Sequence, residues 1–77
     1  MITSEQIRAG RSLLRMTVAE LANLSGVGVA TIKRMEAFSG IPQVQTRTLD
    51  LIFKALNAAG VEFIGTPEDR PGVRLNR

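Results

Sequence analysis

One capping signal and one glycine constrain the middle of this chain more than any other feature. Thr17 stands three residues before Glu20, which is the spacing of a capping box whose side chains satisfy each other's free backbone N–H. A helix is therefore predicted to begin at Val18. Gly26 can adopt the left-handed conformation at little steric cost, so the helix is predicted to end there. Residues 17–36 are thus expected to form two short helices separated by a tight turn.

The segment after the turn predicts a second helix that starts near Gly28. Ile32 and Met35 have the spacing of side chains that face a core. Two helices in this order are typical of a helix-turn-helix, whose second helix lies in the major groove of DNA. Double-stranded DNA is therefore the first partner to consider. The outward face of the second helix carries Val29, Ala30, Thr31, Lys33 and Arg34.

Each side chain on this outward face has a predicted role toward DNA. Arg34 is the strongest candidate reader of a base, since a guanidinium can donate to O6 and N7 of guanine together. Val29 and Ala30 are predicted to touch thymine methyl groups. Thr31 suits a base or a phosphate, whereas Lys33 suits a phosphate. The surface is thus expected both to read bases and to contact the phosphate backbone of DNA.

The segment resembles the Cro/C1-type helix-turn-helix family, which includes the short XRE-like regulators of bacteria and phages. The resemblance implies that Thr17 and Arg47 also lie where the family contacts DNA, Arg47 on a phosphate. It further implies a partly buried ion pair between Arg11 and Glu36, with a structural role. The resemblance covers about residues 4–60, and its marks are Leu21-Ala22, Gly26-Val27, Thr31-Ile32, Glu36 and Ala55-Leu56.

Two departures from the family pattern affect this interpretation. Val18 stands where the family often has glutamine, which removes one usual polar contact with DNA. The family often has a glycine directly after the position of Glu36, whereas here residues 37–39 come before Gly40. The apolar Val18, Val29 and Ala30 also suit a groove on another protein. A protein-interaction module of the antiactivator or antitoxin type is therefore the alternative function.

Composition bounds the class of protein. The 77 residues, 44% of them hydrophobic, predict one small folded domain. No apolar run approaches the roughly 20 residues that cross a bilayer. The sequence has no cysteine and no histidine, so thiolate metal sites and the commonest proton shuttle are missing. A cytoplasmic binding protein is expected, with no catalytic residue, metal, cofactor or membrane partner.

The net charge of +3 is unevenly distributed along the chain. Residues 1–47 hold six basic and three acidic side chains, whereas residues 48–77 hold four of each. The excess lies with the two predicted helices, as expected of a surface that faces phosphates. Arg8 and Arg15 recur at helical spacing nearby. They are candidates for contact with DNA as much as for a solvated basic face.

The tail predicts a β-hairpin. Residues 61–64 and 72–75 are short β-prone runs separated by a turn-rich segment. Because an isolated hairpin is only marginally stable in water, this one is expected to pack on the last helix or to pair with another subunit. A homodimer is predicted, with Val61, Phe63 and Ile64 at its interface. Such symmetry suits a palindromic operator with half-sites about one helical turn apart.

The remaining signals complete the predicted fold. A capping box at Thr3 and Gln6 predicts a first helix from Ser4, and a buried stripe predicts a last helix over 46–59. The expected fold class is mainly α, a lambda-repressor-like helix-turn-helix bundle of four to five helices with a short C-terminal β extension. Residues 1–60 are predicted to be a DNA-binding domain, with 61–77 as the dimerisation element. The predicted function is a sequence-specific transcriptional regulator, most simply a repressor.

Overall fold

The computed structural model describes residues 1–76, which form four helices and one two-stranded antiparallel sheet. Helices account for 51% of the chain and strands for 17%. Within the described residues, no helix combines the length and the apolar character that crossing a membrane requires. The helices are α1 (Ser4–Leu13), α2 (Val18–Ser25), α3 (Val29–Glu36) and α4 (Thr46–Ala58), and the strands are β1 (Val61–Thr66) and β2 (Asp69–Leu75).

Local capping chemistry sets the helix starts that the sequence predicts. Thr3 and Gln6 form a capping box before α1, and Thr17 and Glu20 form one before α2, so both predictions are confirmed. Gly26 has a φ of 76° and ends α2. A residue with a Cβ would lose about 1–2 kcal/mol in this left-handed conformation. Glycine therefore allows α3 to start after only two further residues.

Every element contributes to one apolar core. The helices supply most of its fully buried side chains, β1 supplies one, and Val73 of β2 packs against it half-buried. Beside the core, the rings of Phe53 and Phe63 lie with their centroids 5.1 Å apart, an aromatic contact between α4 and β1. The largest fully buried apolar side chains are Ile7, Leu21, Ile32, Met35, Ile52, Leu56 and Val61.

The predicted fold class, a mainly α, lambda-repressor-like helix-turn-helix bundle with a short β extension, is wrong. The structure is a small α+β domain in which the hairpin packs against α1 and α4. Val61, the first residue of β1, is 1% exposed and belongs to the same core as the helices. A Cβ at Gly10 of α1 would lie only 3.2 Å from Val61 Cγ1, so glycine permits this close approach. The hairpin is thus part of the packed structure.

The strands are also longer than the sequence predicts. β1 continues to Thr66, and β2 already begins at Asp69. Most of the segment 65–71, predicted as a turn, therefore belongs to the sheet. Pro71 lies within β2, which is possible because each strand of a two-stranded sheet has a free edge where no N–H is needed.

Gln6 links α1 to the hairpin through a buried amide. Its Oε1 accepts a hydrogen bond from the backbone N–H of Thr3 at 2.8 Å. Its Nε2 donates to the carbonyl oxygens of Ile64 and Gly72 at 3.2 and 2.9 Å. The residue is 4% exposed, so these partners replace the water that the amide loses on burial. One side chain therefore caps α1 and holds both strands.

Replacing Gln6 by glutamate is expected to loosen the hairpin. A carboxylate keeps the acceptor that caps α1 but has no N–H for the carbonyls of Ile64 and Gly72. At neutral pH this change should lower the free energy of unfolding by about 1–3 kcal/mol, measured by urea denaturation. The control is Gln43→Glu at an exposed glutamine, expected to stay within about 0.5 kcal/mol of the wild type. Equal stability of the two variants would contradict the prediction.

Candidate nucleic-acid interface

α3 presents two unlike faces. Ile32 and Met35 are fully buried in the core. The opposite side of the helix faces solvent and contains no carboxylate. The structure thus places on one surface all five α3 residues that the sequence assigns to DNA. Thr31 is half-buried. The four exposed residues are Val29, Ala30, Lys33 and Arg34.

A cleft of about 370 Å³ lies between α3, the loop that follows it and the first turn of α4. Arg34 Nη2 donates to Thr31 Oγ1 at 3.2 Å within it. Among the described residues, its lining includes one guanidinium, two hydroxyls and two carboxamides but no carboxylate. This set of donors suits a phosphate or the polar edge of a base. The lining residues are Thr31, Arg34, Phe38, Gln43, Val44, Gln45 and Thr48.

The end of α3 is held by an ion pair with α1. Arg11 Nε and Nη2 donate to the two carboxylate oxygens of Glu36 at 2.9 and 2.8 Å. The hydrogen bond to Glu36 raises the pKa of the Arg11 guanidinium above its ordinary value. Arg11 Nη1 also donates to the carbonyl of Met16 at 3.0 Å. One guanidinium therefore joins α1, the segment before α2, and α3.

Further polar contacts from α1 hold the loop after α3. Arg8 Nη1 donates to the carbonyl oxygens of Glu36 and Phe38, where a cation also complements the C-terminal end of the helix dipole. The Glu5 carboxylate accepts a hydrogen bond from the backbone N–H of Gly40 at 3.0 Å. Arg8 is therefore engaged within the protein. These contacts hold the loop of residues 37–40 against α1.

The cations fall into a paired and an unpaired group. Five lie 2.8 to 3.9 Å from a carboxylate oxygen, and two of these are on the hairpin. Four others have no carboxylate partner among residues 1–76, and all four are exposed. They lie before α2, on α3 and in the first turn of α4. The unpaired group is Arg15, Lys33, Arg34 and Arg47.

The other predicted contact residues have mixed positions. Thr17 is the exposed N-cap of α2, and its Oγ1 accepts a hydrogen bond from the N–H of Glu20 at 3.1 Å. Val18 packs against the core and adds little to any outer apolar surface. Phe38 and Thr48 line the cleft although the sequence interpretation did not assign them to it. The position of Thr48 near the start of a predicted helix could have indicated its place in the cleft. Nothing in the sequence indicated that Phe38 lies there.

The predicted dimer contacts need a correction. Val61 is 1% exposed inside its own core, so it is not available to a second subunit. Phe63 is half-buried beside Phe53. Ile64 is 37% exposed and is the member of the predicted set that a partner can reach most readily. Val61 and Phe63 face the core and Ile64 faces away from it, because successive side chains of a strand point to opposite faces of a sheet.

Comparison with known proteins does not assign the chain to a family. No protein-family model matches the chain, and neither does any curated protein. We therefore infer a function from the outward face of α3, the cleft beside it and the positions of Arg15, Lys33, Arg34 and Arg47.

Replacing Arg11 by methionine tests whether the ion pair supports α3. The change leaves the Glu36 carboxylate, 10% exposed, without its partner. The free energy of unfolding should fall toward the lower end of the about 3–5 kcal/mol seen for buried pairs, because Arg11 retains 25% exposure. Urea denaturation measures this loss.

The control for Arg11→Met is Lys54→Met. Lys54 pairs with Asp50 at 2.9 Å, but both side chains are more than half exposed. Its loss should cost less than about 1 kcal/mol. Similar losses for the two variants would show that the Arg11 pair contributes no more than an ordinary surface pair.

Proposed function

We propose that this protein is a sequence-specific DNA-binding regulator that inserts α3 into the major groove. The observation that carries the proposal is that the four exposed cations with no carboxylate partner among residues 1–76 lie on α3 and on the segments beside it. Double-stranded DNA carries about one negative charge per 1.7 Å of its axis, which such a surface complements. The resemblance of about residues 4–60 to the Cro/C1-type regulators supports the same ligand.

The dimensions of α3 suit the major groove. Its eight residues form a helix whose diameter with side chains, about 10–12 Å, fits a groove about 12 Å wide. Val29 and Ala30 stand at its start, where a helix in the groove meets base edges. Arg34 reaches the cleft and is the candidate for a bidentate contact with guanine. Base recognition is therefore assigned to α3.

Backbone contacts are assigned to the elements on either side of α3. Thr17 at the start of α2, Lys33 on α3 and Arg47 in the first turn of α4 are exposed. Contacts of this kind set the register of a protein on the duplex without reading its sequence. Arg47 lies at the positive end of the α4 dipole, which disfavours a cation unless an anion is bound there.

Repression is the simplest regulatory outcome of this binding. Occupying a promoter excludes other proteins and requires no cofactor, so we favour repression over activation and place the protein in the cytoplasm with its DNA. A protein-interaction module is the second candidate, favoured by Val29, which is 39% exposed at the start of α3. Ala30 beside it is exposed as well. Val18, in contrast, packs inward.

Arg34→Ala is expected to weaken binding to the preferred duplex by about 1–3 kcal/mol and to relax the preference at one base pair. Lys33→Ala should instead weaken binding to all duplexes alike and lower the salt slope by about one unit. Fluorescence anisotropy measures both effects with duplexes that tile the gene's upstream region, against a scrambled duplex, at low and physiological salt. Arg70→Ala is the control, because this exposed hairpin cation is paired with Asp69.

Two outcomes would overturn DNA recognition by α3. Equal, salt-sensitive binding of the wild type to every tile would show only nonspecific attraction. No binding to any tile would favour the protein-interaction module, and Val29→Glu would then test its apolar contact. An affinity loss in Arg70→Ala as large as that in Arg34→Ala would show that charge, and not the α3 surface, determines binding.

We also propose that two copies associate through the outward side of the hairpin. Ile64 of β1 is 37% exposed and lies on the face of the sheet opposite Val61 and Phe63, since successive side chains of a strand point to opposite faces. A free strand edge beside it offers backbone groups for pairing. A two-fold dimer would match a palindromic operator.

Ile64→Glu is expected to give folded monomers, because the side chain is already partly exposed and its replacement leaves the core intact. Light scattering measures the mass, and circular dichroism checks the fold. Leu51→Glu on α4 is a matched control, since Leu51 is also 37% exposed. Dimers in the Ile64→Glu variant, or monomers only in the Leu51→Glu variant, would place the interface elsewhere.

A further inference from the structure

Arg15 has a backbone conformation that arginine rarely adopts. Its φ of 53° lies in the left-handed region, directly after the end of α1. The N–H of Arg15 donates to the carbonyl of Ser12, and that of Met16 donates to the carbonyl of Arg11, both at 3.0 Å. This is the Schellman arrangement, in which glycine usually occupies the left-handed position because a Cβ is strained there.

No contact within the described residues compensates for this strain. The Arg15 side chain is exposed, and among residues 1–76 its guanidinium has neither a carboxylate within 4 Å nor a hydrogen-bond acceptor. Arg8 and Arg11 of the same segment differ, because both donate to groups at the end of α3. Folding therefore explains Arg8 and Arg11 but leaves the Arg15 side chain without a role.

A strained backbone alone does not indicate a ligand, as Arg70 shows. Arg70 is the other described non-glycine residue with a positive φ, at 51°. It lies on the hairpin, and its Nε donates to Asp69 Oδ1 at 3.1 Å. Arg15 combines the same strain with an unpaired cation, and this combination points to a ligand outside the chain.

The position of Arg15 indicates which ligand this is. It stands two residues before Thr17, the N-cap of α2, and next to Met16, whose carbonyl is held by Arg11. Arg11 also holds Glu36 at the end of α3, so Arg15 projects from a backbone that is fixed relative to α3. When α3 lies in the major groove, the helix before it crosses the phosphate backbone.

We infer that Arg15 contacts a phosphate of bound DNA beside the groove that α3 enters, and that its strained conformation is retained for that contact. The inference rests on the proposed DNA-binding function and adds a fixed phosphate anchor at the start of α2. A phosphate contact carries no sequence information, so Arg15 contributes equally to the preferred and the scrambled duplex. Stability and affinity consequently favour different residues at position 15.

The experiment compares Arg15→Gly, Arg15→Lys and the wild type by anisotropy on the preferred and scrambled duplexes over a salt series. Arg15→Gly should melt a few degrees higher because glycine suits the left-handed conformation. It should also bind both duplexes roughly fivefold more weakly at 0.15 M salt, with the salt slope reduced by about 0.9, the effect of one phosphate. Arg15→Lys keeps the cation and should bind within about twofold of the wild type.

Arg70→Gly is the matched control, because it relieves the same strain on the hairpin. It should raise the melting temperature while leaving affinity and salt slope unchanged. Equal affinity and slope for Arg15→Gly and a DNA-binding wild type would overturn the phosphate contact and leave the proposed function standing. A wild type that binds no duplex would overturn both. A lower melting temperature for Arg15→Gly would overturn the claim that the conformation is strained.

Discussion

One guanidinium joins the end of α3 to α1 and to the segment before α2. Arg11 bonds both carboxylate oxygens of Glu36 at the end of α3 and the carbonyl of Met16 before α2. α2 and α3 have eight residues each, and helices of this length are not stable alone in water. Their position must therefore come from tertiary contacts, namely the shared core and this partly buried ion pair. These contacts attach the surface proposed to bind DNA to the rest of the fold.

The small size of the chain explains why the hairpin is packed into the fold. A chain of 77 residues buries only about 60–65% of its unfolded surface, so each element has to contribute to the core. Val61 fills it from β1, and Gln6 carries the polar link between α1 and both strands. A tail that is needed inside the protein has less surface left for a partner. The proposed dimer surface is consequently limited to exposed side chains such as Ile64.

Ion pairing makes the distribution of positive charge over the molecule uneven. On the hairpin, Arg74 donates to Glu62 at 2.9 Å and so lowers the pKa of that carboxyl. Arg70 is likewise beside Asp69. These pairs offset the charge of the hairpin cations locally, whereas Arg15, Lys33, Arg34 and Arg47 have no carboxylate partner among residues 1–76. A net charge of +3 can therefore attract a polyanion at α3 and the segments beside it more than at the hairpin.

The sequence by itself determined the starts of α1 and α2 and the turn at Gly26, because capping boxes and left-handed conformations depend on residues a few positions apart. It also predicted the outward face of α3 and the presence of a hairpin. Only the tertiary structure decided that Val61 is buried and that Gln6 holds both strands. Arg8 and Arg15 look equivalent in the sequence, yet Arg8 donates to a carbonyl 28 positions away. Spacing along a helix shows which side chains share a face, but not what lies opposite that face.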